Sequence, residues 1–403
     1  MNIILAGPMG RYPFGGVAWC SMMYLLGLRR LGHQVWYLED TGQCNYDPPR
    51  NGLSRNPQYA LDFVHSCLAQ YGMGDRWCYI DFKGGYHGHD RRAWRRVCSE
   101  ADLFLNLSGG CWFWRDEYLR IPHSAYIDSD PAFTQQDIAE RGPGHAAFFE
   151  QFSALFTFGR NIGTPACPIP TEPLHWEHTW QPVCMEEWRP SADAPRPFFT
   201  TVLTWKVNKF KRFGGNKDSE FMKVLDLPSR VVQGAKYVPG VAHNGHEAQK
   251  YGLEVAVSGP HELLREHGWQ TRDAFSVSHN LDSYRDYIRS SLGEFSVAKQ
   301  LYVQSNSGWF SDRTECYLAS GRPAAVQDTG FSAHIPTGEG LFAFRTVEDA
   351  LAGLEAIVSD YERHSRAAHE VVRAHFAAEV VLPPLIERAT RQSSGAKQAA
   401  QKG

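Results

Sequence analysis

Short apolar runs alternate with amphipathic stretches along most of this chain. Asn2–Ala6 is a strand-length, mostly apolar run that leads into a loop holding Gly7, Gly10, Gly15 and Gly16. Val17, Met22, Leu25, Leu28 and Leu31 then recur at helical spacing, and Gly32 supplies a stop. Gln34–Glu39 reads as a second strand. Strand, glycine loop, helix and strand form a βαβ unit, which predicts a parallel sheet with a right-handed crossover.

The alternation continues. Helices are predicted over 61–71 and 91–100, with strands over 102–107, 124–128 and 155–159. Glu186–Pro197 is polar, holds three prolines and reads as a linker. Phe198–Trp205 restarts the strand pattern, followed by strands near 254–257, 294–297 and 323–327 and helices over 313–320 and 347–361. Pro383 and Pro384 are expected to break the last helical stretch, and the small polar residues from Gln392 onward to form a disordered tail. The expected division is therefore a Rossmann-like domain over 1–185, a linker over 186–197, a second such domain over 198–375, a terminal helix over 376–391 and a tail over 392–403. Ligands of open α/β sheets bind at the carboxyl ends of the strands, so two facing domains would share one cleft.

A length of 403 residues suits two domains at roughly 100–200 residues each. The net charge is −3, which argues against a dedicated duplex-DNA binder but not against a local basic patch. No run of about 18 apolar residues or signal-peptide pattern is present, and the nine cysteines form no CxxC pair, so a cytoplasmic protein with reduced thiols is expected. Aromatic residues reach 13%, and several tryptophans sit beside Gly, Asp or Arg rather than inside apolar runs. Trp19, Trp112, Trp114, Trp205 and Trp309 fall on or beside loops expected to face the cleft, where they would stack on rings; Trp112 and Trp114 are assigned to the acceptor.

Four segments are candidates for chemistry. The loop Gly7–Gly16 opens a helix whose free N–H groups suit an anion, although it fits neither GxGxxG nor a P-loop and plain turn geometry is the alternative. Asp128 and Asp130 follow a strand and would serve as a base or hold hydroxyls; the alternative is a helix cap and a turn before Pro131. Ser311, Asp312, Arg313, Thr314 and Glu315 sit at a helix start, with Thr329 and Gly330 on the next loop, and together describe a nucleotide crevice. In it Arg313 complements a diphosphate and a carboxylate holds ribose. The basic run Lys206–Lys217, with Lys209 inside it, is either a diphosphate clamp or a solvated loop. His243 and His246 have metal-compatible spacing but no third ligand, so no metal site is assigned.

Together these stretches resemble the GT-B glycosyltransferases. Gly15-Gly16-Val17, the helix and Leu31-Gly32-His33-Gln34-Val35 are similar to that superfamily's opening. Tyr317–Pro323 followed by Gln327–Gly330 is similar to its donor-binding helix and loop. The chain departs from the retaining branch at Cys316, where that branch carries a glutamate, and Glu315 lies one residue earlier. The resemblance implies two Rossmann-like domains across a cleft and a terminal helix returning to the first. It also implies metal-independent transfer without a cofactor, from a nucleotide sugar, UDP favoured, to a small-molecule or glycan hydroxyl. In that scheme Gly15, Gly16, Trp205, Lys206, Lys209, Lys217 and the 311–315 and 329–330 residues hold the donor, while Asp128 or Asp130 acts on the acceptor. Alternatives are a nucleic-acid acceptor, a nucleotide-sugar 2-epimerase and a non-catalytic scaffold.

Overall fold

The computed structural model describes residues 1–191, 193–205, 216–234 and 251–391. Lys206, Lys209, His243, His246 and the tail from 392 lie outside the described residues.

The N-terminal half carries β1 (Asn2–Ala6), β2 (Gln34–Glu39), β3 (Asn45–Asp47), β4 (Gly52–Ser54), β5 (Trp77–Ile80), β6 (Tyr86–His87), β7 (Leu103–Leu107), β8 (His123–Asp128), β9 (Ala154–Thr157) and β10 (Glu177–His178). Eight of these form one sheet in the order β10-β9-β8-β7-β1-β2-β5-β6, parallel except for the edge strand β6; β3 and β4 make a separate hairpin. The C-terminal half carries β11 (Phe198–Thr204), β12 (Gly252–Ser258), β13 (Gln270–Asp273), β14 (Gly293–Ser296), β15 (Ala324–Gln327) and β16 (Leu341–Phe344), all parallel, in the order β13-β12-β11-β14-β15-β16. Helices cover both faces, so the central strands are buried on both sides and read as continuous apolar runs. Strand order reverses between β1 and β7 in the first sheet and between β11 and β14 in the second. Those two points open the ligand crevices.

The predicted β1 and β2 coincide with the observed strands. The first helix differs: it spans Gly15–Arg30, so the last two glycines of the loop are helical, with Phe14 as the capping residue. Packing explains this. A Cβ on Gly15 would come 2.6 Å from Tyr284 Cβ in the second domain, so the helix start is pressed against another element.

The pattern misses the short strands β5, β13 and β16 and the helices Leu281–Arg289 and Tyr361–His375. The two prolines also behave differently from expectation. Pro383 and Pro384 lie inside a continuous helix, Ala378–Thr390. The carbonyls that lose a donor belong to Glu379 and Val380, which are exposed and open to water, while Val381, Leu382 and Leu385 are buried. This helix returns to the first domain. Val183 N donates to Phe376 O at 2.7 Å and Ala378 N to Val183 O at 2.9 Å, and Gly27 lets Ala378 and Leu382 approach the first helix.

Candidate functional site

The two carboxyl-end faces meet along two lines of contact. On one side the first helix abuts the helix Leu281–Arg289. Gly15 N donates to Ser278 O at 2.6 Å, and Trp19 Nε1 donates to Leu281 O at 2.8 Å. On the other side Asn161 N donates to Ser307 O at 3.0 Å, and Asn161 Oδ1 bonds His334 Nε2 at 2.7 Å. Gly330, at φ +95°, is required there because a Cβ would overlap Asn306 Oδ1 and come 2.6 Å from Asn161 Nδ2. Gly15, Gly16 and Gly330 therefore sit at interdomain contacts.

Among the described residues, one cavity lies within the second domain and another between the two domains. One, of about 230 Å³, is lined by Ser296–Ala298 at the β14 end, Trp309–Ser311, Thr314, Val326, Gln327 and Phe331. The other, of about 200 Å³, is lined by Gly16, Trp19, Cys20, Met23, Gln181, Tyr284, Asp312 and Cys316.

The helix Asp312–Ala319 runs between them with Ser311 as its N-cap residue. No side chain caps this terminus, so its first N–H groups remain available to an anion. The Thr314 hydroxyl is buried without a hydrogen-bond partner at the first cavity. Asp312 lines the second cavity, and burial raises its carboxyl above the usual range. Lys217 opens the short helix that follows β11. Burial, then the Arg313 and Lys299 cations, push its amine well below the usual ammonium range. Trp205 at the β11 end packs on Phe221 at 5.3 Å between ring centres. Thr329 Oγ1 donates to Trp309 O, which ties the two loops together.

Several assignments change. Arg313 is turned into the second domain's core: Nε donates to Glu294 Oε1 at 2.7 Å, Nη1 to Val202 O at 2.8 Å and Nη2 to Ser296 Oγ at 2.8 Å. That geometry makes it a brace between helix and sheet rather than a diphosphate clamp. Asp128 is enclosed, not presented. Its carboxylate accepts from Thr134 Oγ1 at 2.6 Å, Gln135 Nε2 at 3.0 Å and Thr157 Oγ1 at 2.9 Å, and burial pushes it up to about 6. It cannot reach an acceptor. Trp112 and Trp114 pack with Phe148, Phe149 and Phe152 inside the first domain, and Trp114 Nε1 donates to Phe148 O at 3.0 Å. They hold the helix Pro143–Phe149 in place instead of forming a cleft wall. Glu315 is buried with neither carboxyl oxygen hydrogen-bonded, and burial raises it well above the usual range. It lies near Cys20 and Tyr24 of the first helix.

Asp130 reaches the other domain. It accepts from Lys299 Nζ and from Tyr302 Oη, the latter at 2.5 Å. Sequence reading missed Lys299 and Tyr302. The available signal was a lysine just past the carboxyl end of the strand at 294–297.

No protein-family model matches the sequence, and a search of curated proteins finds no match. Solved structures do resemble it in shape. An alpha-glucosyltransferase in complex with UDP and a 13-mer DNA with a central A:G mismatch superposes at TM-score 0.58 and 9% identity, covering 96% of this chain and 99% of that one. The chain has the GT-B fold. A glucosyltransferase complex with UDP-glucose and DNA containing an abasic site gives 0.55 at 10% identity, covering 96% and 98% of the two chains. AviGT4, a glycosyltransferase involved in avilamycin A biosynthesis, gives 0.50 at 16% identity, with 98% of each chain covered. The GT-B layout accounts for two crevices that face each other and a C-terminal helix that crosses back. No helix among the described residues is long and apolar enough to cross a membrane.

Proposed function

We propose that this GT-B protein is a glycosyltransferase that moves a sugar from a nucleotide-diphosphate donor, UDP sugar favoured, to a hydroxyl-bearing acceptor. One observation carries the reading. At the switch point of the second sheet, Lys217 and Lys299 converge beside the uncapped start of Asp312–Ala319 and the unpartnered Thr314 hydroxyl. Such a cluster suits a leaving diphosphate, whose charge grows in the transition state. Superposable folds solved with UDP and UDP-glucose support the choice of base.

In this reading Lys217, Lys299 and the helix N–H groups take the diphosphate, and Ser311, Thr314, Thr329 and Gly330 shape the donor pocket. Trp205 borders it. In this reading the domains separate to load the donor and close to exclude water. The test is calorimetric titration with UDP and UDP sugars, then product analysis with and without candidate acceptors. Absence of nucleoside-diphosphate binding would sink the reading, and an epimerised donor formed without acceptor would convert it to a 2-epimerase.

A second reading concerns the acceptor. The helix Arg91–Glu100 exposes Arg91, Arg92, Arg95 and Arg96 around a buried Trp94 and Cys98. Two of the superposable structures contain DNA. A nucleic-acid acceptor would give binding that falls steeply with salt, whereas a small glycan would not.

A further inference from the structure

The ion pair across the cleft joins the one candidate base that reaches the other domain to a candidate donor cation. Asp130 belongs to the first domain and Lys299 to the second. Its presentation is built in. Asp128 accepts from Asp130 N at 3.0 Å while being held by Thr134, Gln135 and Thr157, so the loop leaves β8 along a fixed path. Ala132 follows at φ +68°, an unusual conformation for a residue with a Cβ, stabilised where Gln135 Oε1 accepts from Ala132 N at 2.7 Å. Phe133 then covers Lys299, whose Nζ lies 5.1 Å from that ring centre and 5.2 Å from the ring centre of Tyr302. Asp130, Phe133 and Tyr302 together cage the Lys299 ammonium.

We propose that Asp130 is a positioning residue that pairs with Lys299 where the diphosphate would sit and is displaced from it when donor binds. The proposal rests on the glycosyltransferase reading of the same site. Its logic is electrostatic. Burial, then Arg313 and Lys299, depress the Lys217 amine; Arg313 is paired with Glu294, so Lys217 and Lys299 are the two cations brought to one place. A carboxylate from the opposite domain relieves this only when the domains meet. A diphosphate carries more charge than one carboxylate and makes the better partner once it arrives.

The experiment compares wild type, Asp130→Asn, Lys299→Met and the double variant, by calorimetry with inorganic pyrophosphate and with UDP. Asparagine keeps the side-chain size and an oxygen for Tyr302 but removes the competing charge. The expected result is tighter binding of both probes to Asp130→Asn, by about fivefold, the scale of a partly exposed ion pair. Lys299→Met should weaken binding, and Asp130→Asn should have no further effect in that background. The gain should shrink with added salt, which a purely structural role for Asp130 would not produce. Equal or weaker binding by Asp130→Asn, with wild type binding normally, overturns this proposal alone. Failure of both proteins to bind either probe overturns it together with the glycosyltransferase reading. Binding by the variant only would support the proposal strongly.

Discussion

Gly15 in the first domain and Asn280 in the second stand so close that any side chain at position 15 would overlap the Asn280 carbonyl. The neighbouring Gly15 N–H donates to Ser278 O at 2.6 Å, so the helix start is anchored as well as crowded. Replacing Gly15 by Ala should push the two domains apart at this line. Forced overpacking costs about 1–3 kcal/mol. Thermal unfolding should show the loss, and small-angle scattering should show a larger radius of gyration. Unchanged scattering and melting would mean that the contact yields without cost.

Arg313 separates two accounts of its helix. With Glu294 beneath it and both groups buried, Arg313→Ala leaves a carboxylate without its cation, a change that costs about 3–5 kcal/mol. Lys217→Ala should instead leave the melting temperature nearly unchanged and weaken UDP binding. The comparison is melting temperature against UDP affinity for both variants. A thermally unaffected Arg313→Ala protein that no longer binds UDP would return the arginine to the donor site.

Thr314 offers a trade between stability and function. Its hydroxyl is buried and unpartnered, which is unfavourable for folding. Thr314→Val removes that polar atom at nearly constant volume and should hold or raise the melting temperature. If the hydroxyl serves the donor, the same variant binds UDP more weakly. A variant as tight as wild type would exclude the hydroxyl from the pocket.

Glu39 makes the stability depend on pH in a set direction. Its carboxyl accepts from Gly10 N at 2.6 Å and Arg11 N at 2.5 Å and lies 2.9 Å from Tyr37 Oη, and burial pushes it up to about 8. Tyr37 also bonds Gly7 O at 2.6 Å, so its single hydrogen is best used there and a protonated Glu39 supplies the second bond. Because the folded state holds this proton more tightly than the unfolded chain, stability is fullest at low pH and falls as pH rises toward 8. Asp128, raised to about 6, adds a loss of the same sign below that pH. Between pH 6.5 and 8 Glu39 should contribute up to about 1.4 kcal/mol per pH unit of this loss, and the buried Glu315 a loss of the same sign. Urea unfolding across this window should show the slope, and Glu39→Gln should reduce it.

The alternation of apolar runs with glycine turns and helical stripes was sufficient to identify paired parallel sheets, because strands buried on both faces leave a local signature. It also marked Gly15, Gly16, Thr329 and Gly330 as special. What made them special was not local. Gly15 and Gly330 are shaped by residues 265 and 169 positions away, Asn280 and Asn161, that a single stretch of sequence does not reveal. The same holds for charge. Asp128 and Asp130 look equivalent along the chain, but folding encloses one among Thr134, Gln135 and Thr157 and carries the other across the cleft to Lys299. Arg313 looks like a phosphate ligand until Glu294 is seen beneath it. Sequence by itself determined the elements and their class, since these follow from periodicities of a few residues. Only the tertiary structure decided which polar groups face the cleft, because hydrogen-bond and ion-pair partners come from distant segments whose meeting depends on how the two sheets pack.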